Sequence, residues 1–290
     1  MDFKQIEAFV NVAKFKSFSK AAEAIFLSQP TISAHISNLE KELNTILFDR
    51  NSKEVTLTPA GKIFFEYAIN LLNIRNNAIY SISEFEKKIS GKLIIASSTT
   101  PCRFLLPLMV KKFTEVYPSV EFDVKEASTK NVVDLILKGD VELGIVGEVI
   151  HDERLDYKVI ADDKLVVISS KDYKDIKSIN ELIKEKFILR EKGSATRNIF
   201  ENYLAKKELL DKIKVVIEAN SFEAVLQFVK NGLGISIISE SACEDYIKAG
   251  YIKKHEVEGF DIKRNIYLAI HKKRTLSPAA RAFCEFICNI

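Results

Sequence analysis

What this 290-residue chain lacks narrows its function first. No stretch is long and apolar enough to span a bilayer. The opening MDFKQIEAFV, followed by Asn11, Lys14 and Lys16, holds no apolar signal core. A cytoplasmic location is expected, with no membrane partner. Cysteine is scarce: the four, at 102, 243, 284 and 288, form no CxxC pair and read as reduced, mostly buried thiols. Four histidines are too few to supply a metal site, so no metal is expected. There is no GxSxG elbow, no Walker loop, no GxGxxG after a strand and no HExxH. Neither catalytic residues nor a cofactor are therefore expected, and the pair Asp162-Asp163 reads as a surface turn.

A composition of 47% hydrophobic and 29% charged residues is that of a globular protein, and the length exceeds one compact core. The net charge of +3 decides little. Residues 1–62 hold eight Lys or Arg against seven Asp or Glu, so any nucleic-acid reading must rest on where a few cations sit.

Ile6, Phe9, Val10 and Ala13 recur at helical spacing and predict a helix over 2–14. Ser17 and Ser19 offer caps for a short second helix whose small Ala21 and Ala22 permit close approach. A third helix begins near Gln29, with Ser28 as cap and Pro30 in the first turn, where a missing N–H costs nothing. Ile32, Ile36, Leu39 and Leu43 form its apolar stripe, with His35 toward the buried side. The opposite side carries Pro30, Ala34, Ser37 and Lys41, with Ser33 on its flank. Such a small, polar face suits entry into a major groove, but taken alone it reads first as an ordinary solvated helix surface. The continuation favours the groove: Phe48-Asp49-Arg50 and Val55-Thr56-Leu57 read as two short strands around a polar turn, a wing. Thr58-Pro59-Ala60-Gly61 then starts a long helix.

In that helix Phe64, Ala68, Leu71, Arg75, Ala78, Ile82, Phe85 and Ile89 alternate four and three apart. They make a heptad seam expected to pair with a second copy of the chain. Ser90-Gly91 marks the boundary. Beyond it, β-branched runs such as LIIAS, ELGIVGE, LVVISS, FILRE and IYLAIHK alternate with amphipathic helices, an α/β pattern expected to build mostly parallel sheets in two lobes. Three strand-to-helix turns stand out: Ser98-Thr99-Thr100 before Pro101, Lys192 through Arg197, and Asn220-Ser221. Thr100 is expected to cap the first helix. Each turn offers N–H groups and hydroxyls suited to an anion, though the same hydroxyls also suit plain capping.

The run AAEAIFLSQPTISAHISNLEKELNTILFDR, followed by VTLTPAG, resembles the LysR-type regulator signature almost position for position across residues 21–61. Asn44 replaces the glycine usual there, a residue that tolerates the left-handed conformation. SSTTPCRFLLP and REKGSATR resemble stretches of the regulators of sulfur assimilation and carbon fixation. Pro101 and Cys102 depart from the commoner Ile and Gly.

The resemblance implies an α/β protein in three parts. They are a winged helix-turn-helix over 1–58, a linker dimerisation helix over 59–90, and a two-lobed effector domain over 91–290 resembling periplasmic binding proteins. Lobe I would take about 91–161 and 267–290, lobe II about 162–266. The resemblance assigns Ser28, Gln29, Pro30, Thr31, Ser33 and Ser37 to base or phosphate contacts, and Arg50 and Lys53 to the wing. It assigns Ser98, Thr99, Thr100, Glu148, Ser194, Ala195, Thr196 and Asn220 to the effector, an oxyanion or small carboxylate. From their place beside these turns, Arg190 or Arg197 is expected to supply positive charge. The implied partners are a double-stranded DNA operator, RNA polymerase, and further copies in a homodimer or homotetramer. A solute-binding transport component would lack the helix-turn-helix and carry a signal peptide.

Overall fold

The computed structural model describes residues 1–49, 55–83 and 89–288. The chain divides into two units, one of residues 1–90 with 272–281, the other of residues 91–271 with 282–290. One division between the units falls at 90/91. The segment 272–281, which the sequence reading places in lobe I, lies with residues 1–90.

In the first unit, α1 (Phe3–Phe15) starts at a reciprocal cap between Asp2 and Gln5 and buries Ile6, Phe9, Val10 and Val12. Ser17 caps α2 (Phe18–Ala24), and Ala21 and Ala22 are buried as their size allows. Ser28 caps α3 (Gln29–Glu42), where Pro30 falls in the first turn. Ile32, Ile36 and Leu39 are fully buried, but Leu43, expected to extend the stripe, is the C-cap residue and is exposed. Asn44 follows at φ 47°, the left-handed turn its amide permits.

Strands β1 (Phe48–Asp49) and β2 (Thr56–Leu57) pair antiparallel at the base of the wing. The Glu40 carboxylate secures that base, accepting from the N–H of Leu47 at 2.8 Å and of Phe48 at 3.3 Å. Thr58 opens α4 (Pro59–Ser83), its hydroxyl accepting from Gly61 N and donating to the Ile46 carbonyl. A Cβ on Gly61 would lie 2.1 Å from the Leu47 carbonyl oxygen, so only glycine lets the helix approach this closely.

The first turns of α4 corrects the seam reading. Phe64 and Leu71 pack against the helix-turn-helix core, and Ala68 lies within it. Arg75 stacks over Phe3 at 5.3 Å and bonds Asn76. Phe85 lies outside the described residues, and Ile89 lies outside the helix as described. Among the described residues, the large apolar side chains that α4 leaves exposed are Ile63, Tyr67, Ile74, Ile79 and Ile82. On another face, residues 274–276 lie against the helix. Asn77 donates to the Leu276 carbonyl at 2.7 Å, Asn70 accepts from Thr275 N at 3.1 Å, and Arg274 pairs with Glu66 at 3.3 Å.

The second unit is built on β3 (Gly91–Ser98), β4 (Val120–Ala127), β5 (Leu143–Val146), β6 (Leu155–Ser170), β9 (Ser236–Ser239), β10 (Ile252–His255) and β11 (Ile262–His271). They form one sheet, in the order β10-β6-β11-β5-β3-β4 with β9 on β6. A separate parallel pair joins β7 (Lys186–Arg190) and β8 (Lys214–Ala219). The sheet is mixed, not mostly parallel: β3 runs parallel to β4 and β5, while β11, β10 and β9 pair antiparallel. Strand β11 pairs along its length with residues 155–165 of the longer β6 and slips register between Ile266 and Tyr267. The lobe limits expected at 161/162 and 266/267 fall inside these two strands.

Hydrophobic clusters lie along β6. Leu155 belongs to one cluster with Ala96, Val132, Ile136 and Ala269. Farther on, Leu165 and Val167 face Phe187 and Phe200, while Val166 and Ile168 face Val225 and Leu226. That alternation is the period-two consequence of strand geometry.

Candidate functional site

On the first unit, the N-terminal end of α3 is exposed from Ser28 to Pro30. The Ser28 hydroxyl accepts from Thr31 N at 3.2 Å and shares a hydrogen bond with the Thr31 hydroxyl at 2.7 Å. Gln29 accepts from the Ser19 hydroxyl at 3.0 Å, which ties the start of α2 to that of α3. Ser33 and Ser37 lie half-buried farther along the helix, as does His35. Six of the eight expected DNA contacts thus lie on α3 and its cap. Arg50 and Lys53 lie outside the described residues.

On the second unit, three helix starts meet at a cleft. They are those of α5 (Thr99–Phe104), α7 (Thr129–Lys138) and α9 (Ala195–Ala205). The cleft is lined by Ser98, Thr99, Thr100, Ser128, Thr129, Arg190, Ser194, Ala195, Thr196 and Arg264, among others, and has a volume of about 30 Å³. Ser98, not the expected Thr100, is the N-cap of α5. Neither Ser98 nor Ser194 uses its hydroxyl to cap its own helix, whereas Ser128 does, accepting from Asn131 N at 3.3 Å. Plain capping therefore does not account for the first two. Thr129 is 3% exposed, and its Oγ1 has no hydrogen-bond partner. A buried hydroxyl left so disfavours folding and suits a ligand that supplies the partner.

Arg264, from β11, brings the cation. Its Nη1 donates to Thr196 Oγ1 at 3.0 Å and its Nε to Asp163 at 2.7 Å. Asp163 also accepts from the Ser239 hydroxyl at 2.7 Å. The Arg264 and Asp163 side chains are 4% and 5% exposed, so Asp163 is a buried strand residue and not part of a surface turn. Gly147 lies against the guanidinium: a Cβ there would touch Nη1 at 3.4 Å, an ordinary van der Waals contact. Arg190 lines the cleft in a two-pronged pair with Glu191. The expected alternative, Arg197, turns away to Glu201 at 2.6 Å and Glu218 at 2.5 Å. Burial opposes its charge, but these two hydrogen bonds hold the guanidinium above its usual range.

Residues 3–62 match the family described as bacterial regulatory helix-turn-helix protein, lysR family, and residues 86–289 match the LysR substrate binding domain. The chain belongs to the LysR family of transcriptional regulators. This LysR-family regulator is thus a DNA-binding protein with an effector-binding domain. It is 32% identical over 290 residues to an uncharacterized HTH-type transcriptional regulator of Methanocaldococcus jannaschii, covering 98% of this chain and 97% of the relative. A probable RuBisCO transcriptional regulator of Cyanophora paradoxa is 32% identical over 295 residues, covering 99% of this chain and 91% of that one. Among solved structures, the regulatory domain of Synechocystis CcmR in complex with 2-PG aligns with a TM-score of 0.64 and 28% identity. That alignment covers 69% of this chain and 97% of the domain.

For this LysR-family regulator the structure brings Ser98, Thr99, Thr100, Ser194, Ala195 and Thr196 to one cleft. It does not bring Glu148 or Asn220 to the lining. Glu148 accepts from Asn198 at 3.2 Å, and Asn220 is exposed with its carbonyl toward Arg190. Sequence reasoning missed Thr129, Asp163 and Arg264. The motif STK after VEFDVKEA is a strand-to-helix turn of the same kind as the three singled out, and was the available signal for Thr129. Nothing local marks Arg264. It also lines a wider groove of about 950 Å³, where Lys254 pairs with Glu240 and Lys248 with Glu244. Those walls are already neutralised, and they hold no orphaned hydroxyl like that of Thr129.

Proposed function

We propose that this regulator takes a small oxyanion or carboxylate in the cleft between Ser98–Thr100, Ser128–Thr129 and Ser194–Thr196. Occupancy there sets the affinity for its operator. The observation that carries the reading is the buried, partnerless Thr129 hydroxyl in a cleft that Arg264 also lines. Backbone N–H groups at the starts of α7 and α9 add positive potential without a net charge. The two arginines of the lining are already paired with Asp163 and Glu191. A singly charged ligand that also donates a hydrogen bond therefore suits the site better than a bare dianion. The volume of about 30 Å³ is room for little more than a water, so any larger effector must widen the cleft, which is how binding acquires a conformational consequence.

The DNA contacts proposed are Ser28, Gln29, Pro30, Thr31, Ser33 and Ser37 of α3, with Arg50 and Lys53 of the wing. Pairing through α4 places two such helices on one operator, and a dimer of dimers is the larger assembly. RNA polymerase is the further partner of a regulator acting at a promoter. The test is calorimetric titration of the full-length chain with sulfate, sulfite, thiosulfate, phosphate and small carboxylates, repeated on Thr100→Val and Thr196→Val. Tight binding that neither substitution weakens would move the site elsewhere.

A further inference from the structure

Phe26 sits in the turn between α2 and α3 and is 95% exposed, at a left-handed φ of 55°. Around it α2 ends in the hydrogen bonds Leu27 N to the Ala22 carbonyl, 2.9 Å, and Phe26 N to the Glu23 carbonyl, 3.3 Å. That pair of bonds places Phe26 at the position where helices of this ending usually carry glycine, because a Cβ crowds the backbone there. A phenylalanine at this point strains the turn and leaves a whole aromatic ring in water. Both effects work against folding, so neither is explained by the fold.

The location supplies an explanation. Leu27, the next residue, is 40% exposed, and after it come the Ser28 cap and Gln29. The Ser19–Gln29 hydrogen bond holds the start of α2 against this same end of α3. In a helix-turn-helix the N-terminal residues of the recognition helix meet the base edges, so the turn two residues before its cap is carried to the rim of the groove. We propose that Phe26 packs its ring on a thymine methyl at that rim, making it a specificity-determining residue for the operator. The major groove offers an apolar side chain this one base-specific apolar contact. The contact buries the ring only when DNA is bound.

The test uses the full-length chain and operator duplexes selected with it from a random-sequence pool. Affinities of Phe26→Gly, Phe26→Asn and Phe26→Tyr are measured across a salt series. Gly and Asn both fit the left-handed turn, so their melting temperatures stay level or rise, yet each loses about tenfold in operator affinity. The slope of affinity against salt stays unchanged, because no phosphate-bound cation is removed. Tyr, which keeps the ring, binds like the wild type. Replacing one thymine per half-site with deoxyuridine weakens the wild type by a similar factor and leaves Phe26→Gly unaffected, as two groups in one contact must behave. Wild-type affinity in Phe26→Gly overturns the proposal. So does a scan in which no thymine methyl distinguishes the two proteins.

Discussion

At the scale of single residues, the cleft separates groups that serve stability from groups held ready at its expense. Thr129 is of the second kind. Valine has its shape without the hydroxyl, so Thr129→Val should leave the chain as stable or gain about 1 kcal/mol, while effector affinity falls about tenfold. Thermal unfolding and calorimetric titration read the two effects separately, and a destabilised variant contradicts the account. Arg264 and Asp163 are of the first kind. Arg264→Met leaves a buried carboxylate unpaired and should cost about 3–5 kcal/mol, and adding Asp163→Asn should restore a good part of it. Denaturant titration of the two singles and the double checks this coupling. His255 gives a pH dependence. Ile176 N donates to its Nδ1 at 3.2 Å, so the ring proton sits on Nε2, toward the Ser169 hydroxyl at 2.7 Å. Burial, then Lys253, push its pKa below 6.5, against the pull of Asp175 and Glu185. The unfolded chain therefore binds the proton first. The contribution of His255 to stability is complete above pH 6.5 and is lost as the pH falls below it. Melting temperatures measured downward from neutral pH should drop more steeply in the wild type than in His255→Asn.

At the scale of elements, the DNA-reading helices were legible because their signals are local. Ser17, Ser28 and Thr58 cap where a capping residue precedes an apolar stripe, and Asn44 turns where its side chain allows. The long helix was misjudged for a related reason. Phe64, Ala68 and Leu71 repeat as a seam should, but periodicity says only that a face is covered, not by what. Here the helix-turn-helix covers its first half, whereas Ala78 and Ile82 of the same seam stay exposed. The dimer prediction therefore moves to the exposed side chains. Ile63→Asp with Ile74→Asp should give monomers in sedimentation that keep their helical content and lose operator binding. Leu71→Asp should instead unfold the N-terminal unit. A dimeric Ile63/Ile74 double variant that binds DNA normally would place the interface on other residues. The cleft was half legible. Turns after strands announced Ser98 and Ser194, but Arg264 arrives from a strand that pairs with β6 across about a hundred positions of sequence, which no local pattern encodes.

At the scale of the whole molecule, effector and operator act on one chain, so their couplings must be equal. Whatever factor a ligand of the cleft applies to operator affinity, the operator must apply to ligand affinity. Titrating each partner in the presence and absence of the other measures both factors, and unequal values would mean that the two sites do not share one equilibrium. The second feature of this scale is the path of the chain. Residues 274–276 lie against α4, and Asn77 and Leu276 are 199 positions apart. The N-terminal unit is therefore not finished when its first ninety residues have been made. On the ribosome, the helix-turn-helix emerges early while the bracing turn that grips Glu66, Asn70 and Asn77 is still unsynthesised. A nascent or prematurely terminated chain can present a reading head to DNA, but its helix lacks that brace, so translation itself sets the moment at which a complete N-terminal unit first exists.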